Sequence, residues 1–203
     1  MSKVERAIRY ATHAHEGQVR KHSGLPYVVH PVEVMKTLSN WGVTDETILT
    51  AAVLHDVIED TGVTKEQIAY EFGLNVAVMV MECTRPKEQA DKKGKLDFLK
   101  SFSEKSEGSV LIKLADRFCN VEDYLKSYKT NYAYWYAYQA YPLLNEYEKR
   151  KLWTIYPKSV NNVSENLWIS AVLGLGAIAK TDVHDSIGVL KEFTDKYDYD
   201  FLI

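Results

Sequence analysis

Cysteine is nearly missing from this chain: Cys83 and Cys119 are the only two in 203 residues. Two cysteines build neither a disulfide framework nor a thiolate zinc site, so a reducing, cytoplasmic setting is expected. An excess of charge of one sign is missing as well. Lys+Arg 25 against Asp+Glu 28 leaves a formal charge of −3, which excludes a surface-wide basic field and argues against a nucleic-acid partner. An anionic ligand would have to be held by a local cluster. No stretch nears the ~18 apolar residues that cross a bilayer, and the opening MSKVERAIRYATHAHEG carries charge throughout rather than a signal-peptide core. Repeats and low-complexity linkers are also lacking, which favours one compact domain. What remains is ordinary globular material: 46% hydrophobic and 12% aromatic residues, enough to bury a core and to exclude disorder as the main state.

The dominant period is helical. Val4, Ala7, Ile8, Ala11 and His15 recur at three- and four-residue steps and end at Gly17. Pro31 suits the first turn of a second helix running to Trp41, with Gly42 behind it as a stop. A third helix is expected from Thr44 or Asp45 to about Glu59. Thr64 with Gln67 three residues on forms a capping box for a short helix closed by Phe72-Gly73. Residues 74–83 (LNVAVMVMEC) are apolar almost throughout, and periodicity does not separate buried helix from buried strand there. Residues 85–95 (RPKEQADKKGK) read as an exposed charged loop, followed by helices over about 96–106 and 109–128. No strand alternation with hairpin turn signals occurs, so the fold class expected is all-α. Between Tyr124 and Tyr156 lie nine of the 14 tyrosines, which read first as an aromatic packing face with hydroxyls reaching water. A last helix is expected after Thr181 or Asp182.

Chemistry concentrates in three strings. In AAVLHDVIEDT (51–61), His55, Asp56 and Glu59 stand at i, i+1 and i+4 on a helix, with Asp60 four beyond Asp56. Carboxylates a turn apart repel, and a divalent cation or a shared proton relieves that. An amphipathic helix with a solvated polar end is the plainer explanation. It is weakened by the apolar residues around the acids, because buried charges need partners. In LIKLADRFCN (111–120), Lys113, Asp116 and Asn120 share one helix face, so Asp116 has either a salt bridge with Lys113 or Arg117 or a ligand role. In GQVRKHSGLPYVVHP (17–31), Arg20 and Lys21 are by default a solvated basic pair, or else a phosphate clamp. His30 alone is more often structural than ligating. His13, His15, His22 and His184 show no partner pattern and read as structural or surface residues.

Taken together, His30, the His55-Asp56 doublet and Asp116 resemble, in order and context, the H…HD…D signature of the HD superfamily of metal-dependent phosphohydrolases. GQVRK…PYVVHP, AAVLHDVIEDT and IKLADR..N are similar, almost without substitution, to the hydrolase domain of RelA/SpoT-type alarmone enzymes and their small single-domain relatives. The likeness covers roughly residues 4–128. It implies an all-α HD-domain helical bundle in which His30, His55, Asp56 and Asp116 bind one divalent metal, manganese in this subfamily. It implies that Glu59 and Asp60 orient and deprotonate the attacking water. Arg20, Lys21, Lys113, Arg117 and Asn120 would line the nucleotide pocket. The implied reaction removes the 3′-pyrophosphate of ppGpp or pppGpp, returning GDP or GTP.

Two departures shape the expectation. The chain stops at Ile203, so a hydrolase without synthetase or regulatory domains is expected. Residues 1–128 are read as the HD hydrolase core, and 129–203 as a divergent helical part completing the same domain. The tyrosine-rich segment there matches little in the small relatives, which leaves base specificity open and offers a surface for a homo-oligomer. The alternatives are an HD phosphohydrolase for another nucleotide (NADPH, an adenine alarmone or a nucleoside monophosphate) and a catalytically silent nucleotide sensor.

Overall fold

The computed structural model describes residues 1–21, 23–127, 136 and 139–152. Within them the chain is a helical bundle, with a single isolated bridge, Val19 to Pro26, as its only extended pairing. The helices are α1 (Lys3–Ala14), α2 (Val29–Asn40), α3 (Glu46–Leu54), α4 (Val57–Asp60), α5 (Lys65–Phe72), α6 (Leu74–Cys83), α7 (Lys92–Lys100), α8 (Glu107–Lys126) and α9 (Tyr141–Lys149). Two short 3₁₀ turns, Lys87–Gln89 and Ser101–Glu104, flank α7.

Local chemistry explains most of the boundaries. Ser2 and Glu5 close a capping box on α1, and Thr64 and Gln67 do the same on α5. Gly73, at φ 92°, ends α5 in a left-handed conformation that a side chain would strain, and the chain turns directly into α6. LNVAVMVMEC is therefore helix, with Val76, Ala77, Val80 and Cys83 buried. The segment 85–95 is not wholly a loop: it contains the first 3₁₀ turn and the start of α7, since Asp91 caps the backbone N–H of Gly94. The expected final helix and most of the tyrosine-rich run lie outside the described residues.

At the centre stands α3. Ile48, Thr50, Ala51, Ala52, Val53 and Leu54 are all buried, and α1, α2, α6 and α8 pack around them. A helix apolar all round has no face to give to water, and its two alanines let neighbours approach closely. Its interior location also bears on where it ends. The helix expected to run on to Glu59 stops at Leu54, and Asp56, at φ −102° and ψ −9°, separates it from the single turn of α4. On a continuous helix His55 and Asp56 would point about 100° apart. The break lets both side chains converge where α2, α3 and α8 meet.

Candidate metal and nucleotide site

His30 lies in the first turn of α2, His55 and Asp56 at the break after α3, and Asp116 midway along α8. All four are more than nine-tenths buried. His30, His55 and Asp56 bring ligand atoms within 4.8 Å of one another. His55 Nε2 is 3.1 Å from Asp56 Oδ2 and 3.7 Å from Asp116 Oδ1. His30 Nε2 is 3.0 Å from Asp116 Oδ1 and 3.7 Å from Asp56 Oδ2.

The hydrogen bonds bear on what this cluster can hold. His55 Nδ1 donates to the Ala52 carbonyl at 2.8 Å, which fixes the ring and leaves Nε2 facing the carboxylates. Nε2 is buried with no hydrogen-bond partner. A lone pair aimed at two carboxylates is tolerable only with a proton or a cation between them. Without metal, burial would lower the His55 pKa, but Asp56 and Asp116 outweigh it and push it up to about 10. Burial would raise Asp116, but the Lys113 ammonium and the two imidazoles hold it well below the usual carboxylate range. Asp56 likewise stays below that range, because His55 overrides its burial. Two imidazoles and two carboxylates converging on one buried point suit a borderline divalent ion with open coordination positions, which would take the place of the His55 proton.

Around the cluster opens a cleft of about 350 Å³. Arg20, Lys21, His30, Asp56, Glu59, Asp60, Lys113, Asp116, Arg117 and Asn120 all line it, and His55 sits fully buried behind Asp56. Thus every candidate read from the sequence comes to one place. Lys113, Asp116 and Asn120 do share a face of α8: Lys113 Nζ is 3.0 Å from Asp116 Oδ2, and Asn120 Nδ2 donates to Asp116 Oδ1 at 2.6 Å. Of the alternatives for Asp116, the salt bridge with Lys113 is present through Oδ2, and Oδ1 is left facing the two imidazoles. Arg20 donates to Asp123 Oδ2 at 2.9 Å and to Asn120 Oδ1 at 3.3 Å. It is anchored on α8, not solvated.

Sequence reasoning missed several partners. The Tyr27 hydroxyl lies 2.8 Å from Asp56 Oδ2 and 2.9 Å from Asp60 Oδ2. One hydroxyl proton does not serve two ionised carboxylates well, so the second contact favours a proton on Asp60. In keeping with that, partial burial and the Asp56 charge raise the pKa of Asp60. His15 packs on Tyr27 with ring centroids 4.7 Å apart, and Gln18 ties His15 to the Asp60 carbonyl. Tyr27 lies inside the PYVVHP string, but nothing local to that string gives its role. Arg85, assigned to an exposed loop, grips Glu59 twice: its backbone N–H donates to Oε2 and its guanidinium to Oε1, each at 2.9 Å. Both oxygens of Glu59 are thereby occupied, whereas Asp60 keeps Oδ1 clear of the contact with Tyr27.

The HD domain family profile matches residues 7–135. The guanosine-3′,5′-bis(diphosphate) 3′-pyrophosphohydrolase of Mus musculus is 37% identical over 119 residues, which span 58% of this chain and 66% of that protein. An enzyme of the same name from Aquifex aeolicus is 38% identical over 125 residues, covering 59% of this chain and 17% of its own. The Vibrio cholerae enzyme of that name is 41% identical over 128 residues, covering 55% and 16%. The chain thus spans just under two thirds of the mouse relative and a small part of the long bacterial ones. A solved structure described by the words "a metazoan ortholog of SpoT hydrolyzes ppGpp and plays a role in starvation responses" superposes with a TM-score of 0.59 at 25% identity. It covers 95% of this chain and 96% of its own.

Proposed function

This chain belongs to the HD domain family, and from that premise we propose that it removes the 3′-pyrophosphate of the guanosine alarmones ppGpp and pppGpp. One observation carries the reading: a buried cluster of two imidazoles and two carboxylates, His30, His55, Asp56 and Asp116, opens into a cleft lined by Arg20, Lys21, Lys113 and Arg117. It is supported by relatives of that named activity at 37% to 41% identity. These four residues would hold one divalent cation, manganese by the sequence resemblance. Such a cation, when bound, supplies Lewis-acid activation of water and of the phosphoryl oxygens.

The chain's own groups divide the remaining work. Asp60, in its carboxylate form and with its Oδ2 on Tyr27, accepts the proton of the attacking water. Tyr27 fixes the Asp60 carboxyl relative to Asp56. Glu59, held at both oxygens by Arg85, orients rather than deprotonates. Asn120, anchored on Asp116, and Arg20 set the nucleotide wall, with Lys21 at the rim. Residues beyond 128 are taken to complete the same domain, supported by Tyr136 and Gln139 lining this cleft. The free, buried thiols of Cys83 and Cys119 fit a reducing cytoplasm, and no helix among the described residues is long and apolar enough to cross a membrane.

Turnover of ppGpp, pppGpp, NADPH and nucleoside monophosphates under one manganese concentration tests the substrate. The alarmones should show the highest kcat/KM. A higher value for NADPH or a monophosphate would move the assignment to that nucleotide. Tight ppGpp binding with no pyrophosphate release would mark a silent sensor.

A further inference from the structure

Three of the cleft's buried or half-buried cations have a carboxylate partner: Arg20 has Asp123, Arg85 has Glu59 and Lys113 has Asp116. Arg117 is different. It is only 8% exposed, yet its contacts are neutral: Nη1 donates to Gln139 Oε1 at 3.0 Å, and the guanidinium lies 4.5 Å from the centre of the Tyr136 ring. Among the described residues no carboxylate forms an ion pair with it. Among the described residues this buried guanidinium gives up its water for an amide and a ring and gains no counter-charge, which is costly.

Both members of the pair have donors to spare. Arg117 Nε and Gln139 Nε2 are buried with no hydrogen-bond partner, and both residues line the cleft. The orientation of the amide follows from its neighbour. Arg117 offers only donors, so the Gln139 oxygen must face it and the Nε2 hydrogens are left over. The unfilled valences at this spot are therefore all N–H, on a positively charged support. An oxyanion fills them with the strongest, charge-assisted bonds, whereas an adenine amino group, itself a donor, would leave them unfilled. Tyr136 is tied to Tyr124, with ring centroids 5.0 Å apart, which steadies the ring that supports Arg117.

Building on the alarmone reading above, we infer that Arg117 and Gln139 form an anion subsite that takes a non-reacting phosphate of the substrate. Gln139 lies past residue 135, where the HD domain match ends, so this half of the subsite comes from the part of the chain that the family match does not reach. Gln139 holds Arg117 and donates to the phosphate itself. Two phosphates qualify: the 5′-diphosphate, which stays on the product, and the outer phosphate of the departing pyrophosphate.

Gln139→Glu and Gln139→Leu test this. Glutamate keeps a group for Arg117 to hold, but removes the donor and cancels the charge. If Gln139 were merely structural, glutamate would restore function. The subsite predicts that Gln139→Glu raises the KM for ppGpp about ten- to a hundredfold, the range for one charge-assisted hydrogen bond. It predicts a much smaller change in kcat, no loss in melting temperature, and a milder KM defect for Gln139→Leu. Product inhibition separates the two phosphates: weakened inhibition by GDP alone assigns the 5′-diphosphate, and weakened inhibition by inorganic pyrophosphate alone assigns the leaving group. A wild-type KM in Gln139→Glu, or wild-type potency of both inhibitors, would overturn the proposal. Should the wild-type protein leave ppGpp intact, the alarmone reading fails by itself. Calorimetry with inorganic pyrophosphate and with GDP, wild type against Gln139→Glu, then decides the subsite: equal affinities for both sink it.

Discussion

Asp56→Asn should abolish pyrophosphate release while leaving the protein folded. Asp56 gives Oδ2 to the His55 Nε2 contact and lies 3.7 Å from His30 Nε2, so its charge is part of what makes the cluster attractive to a divalent ion. An amide keeps the shape and loses the charge. Metal catalysis of this kind contributes several kcal/mol, so a loss of at least about a thousandfold in kcat/KM is expected. The fold should survive, because the core residues of α3 do not depend on that charge and His55 keeps its bond to Ala52. Metal content by elemental analysis, circular dichroism and turnover, measured together, check it. Wild-type turnover in a folded Asp56→Asn protein would exclude the cluster as the reaction centre.

The second large effect belongs to Asp60. Asp60→Asn should lower kcat about 10²- to 10⁴-fold, the usual range for a positioned general base, with metal content unchanged because the His30–His55–Asp56–Asp116 set is intact. The pH dependence carries the sign. The raised pKa of Asp60 comes from partial burial and the Asp56 charge, and the working form is the carboxylate. Wild-type kcat should therefore rise with pH through that raised value and level off, and the rise should be missing in Asp60→Asn. Stability should move the other way. An acid whose pKa is raised on folding is stabilising when protonated, and that stability is lost as pH climbs through the folded value. At neutral pH the amide should accordingly melt no lower than the wild type. A pH profile retained in Asp60→Asn would assign the base to another group, with Glu59 the next to replace.

The candidate ligands are more legible in the sequence than the backbone that aims them. The helical period, the capping boxes at Ser2 and Thr64 and the spacing of Lys113, Asp116 and Asn120 are local properties of the chain, so they were legible. The break at Asp56 was not. AAVLHDVIED reads as continuous helix, and the gain that offsets the interruption lies in tertiary contacts: the meeting of both side chains with His30 of α2 and of His55 with Asp116 of α8. Arg85 was hidden for a similar reason. Its string is dense in charge and proline, as solvated loops are, and only the fold brings it onto Glu59, 26 residues earlier in the chain. Tyr27 was within reach, because a tyrosine three residues before a candidate ligand invites the question of what its hydroxyl meets. Gln139 carried no signal at all, since a glutamine between aromatic residues has many uses and only its pairing with Arg117 gives it this one.

If a single divalent ion at His30, His55, Asp56 and Asp116 drives alarmone hydrolysis, turnover must follow occupancy of that site. The most direct test titrates manganese into chelator-treated protein and follows pyrophosphate release from ppGpp alongside bound metal. Release should be absent without metal and should rise in proportion to occupancy, saturating at one equivalent per chain. Release that persists in chelator, or none at full occupancy of the folded protein, would contradict it.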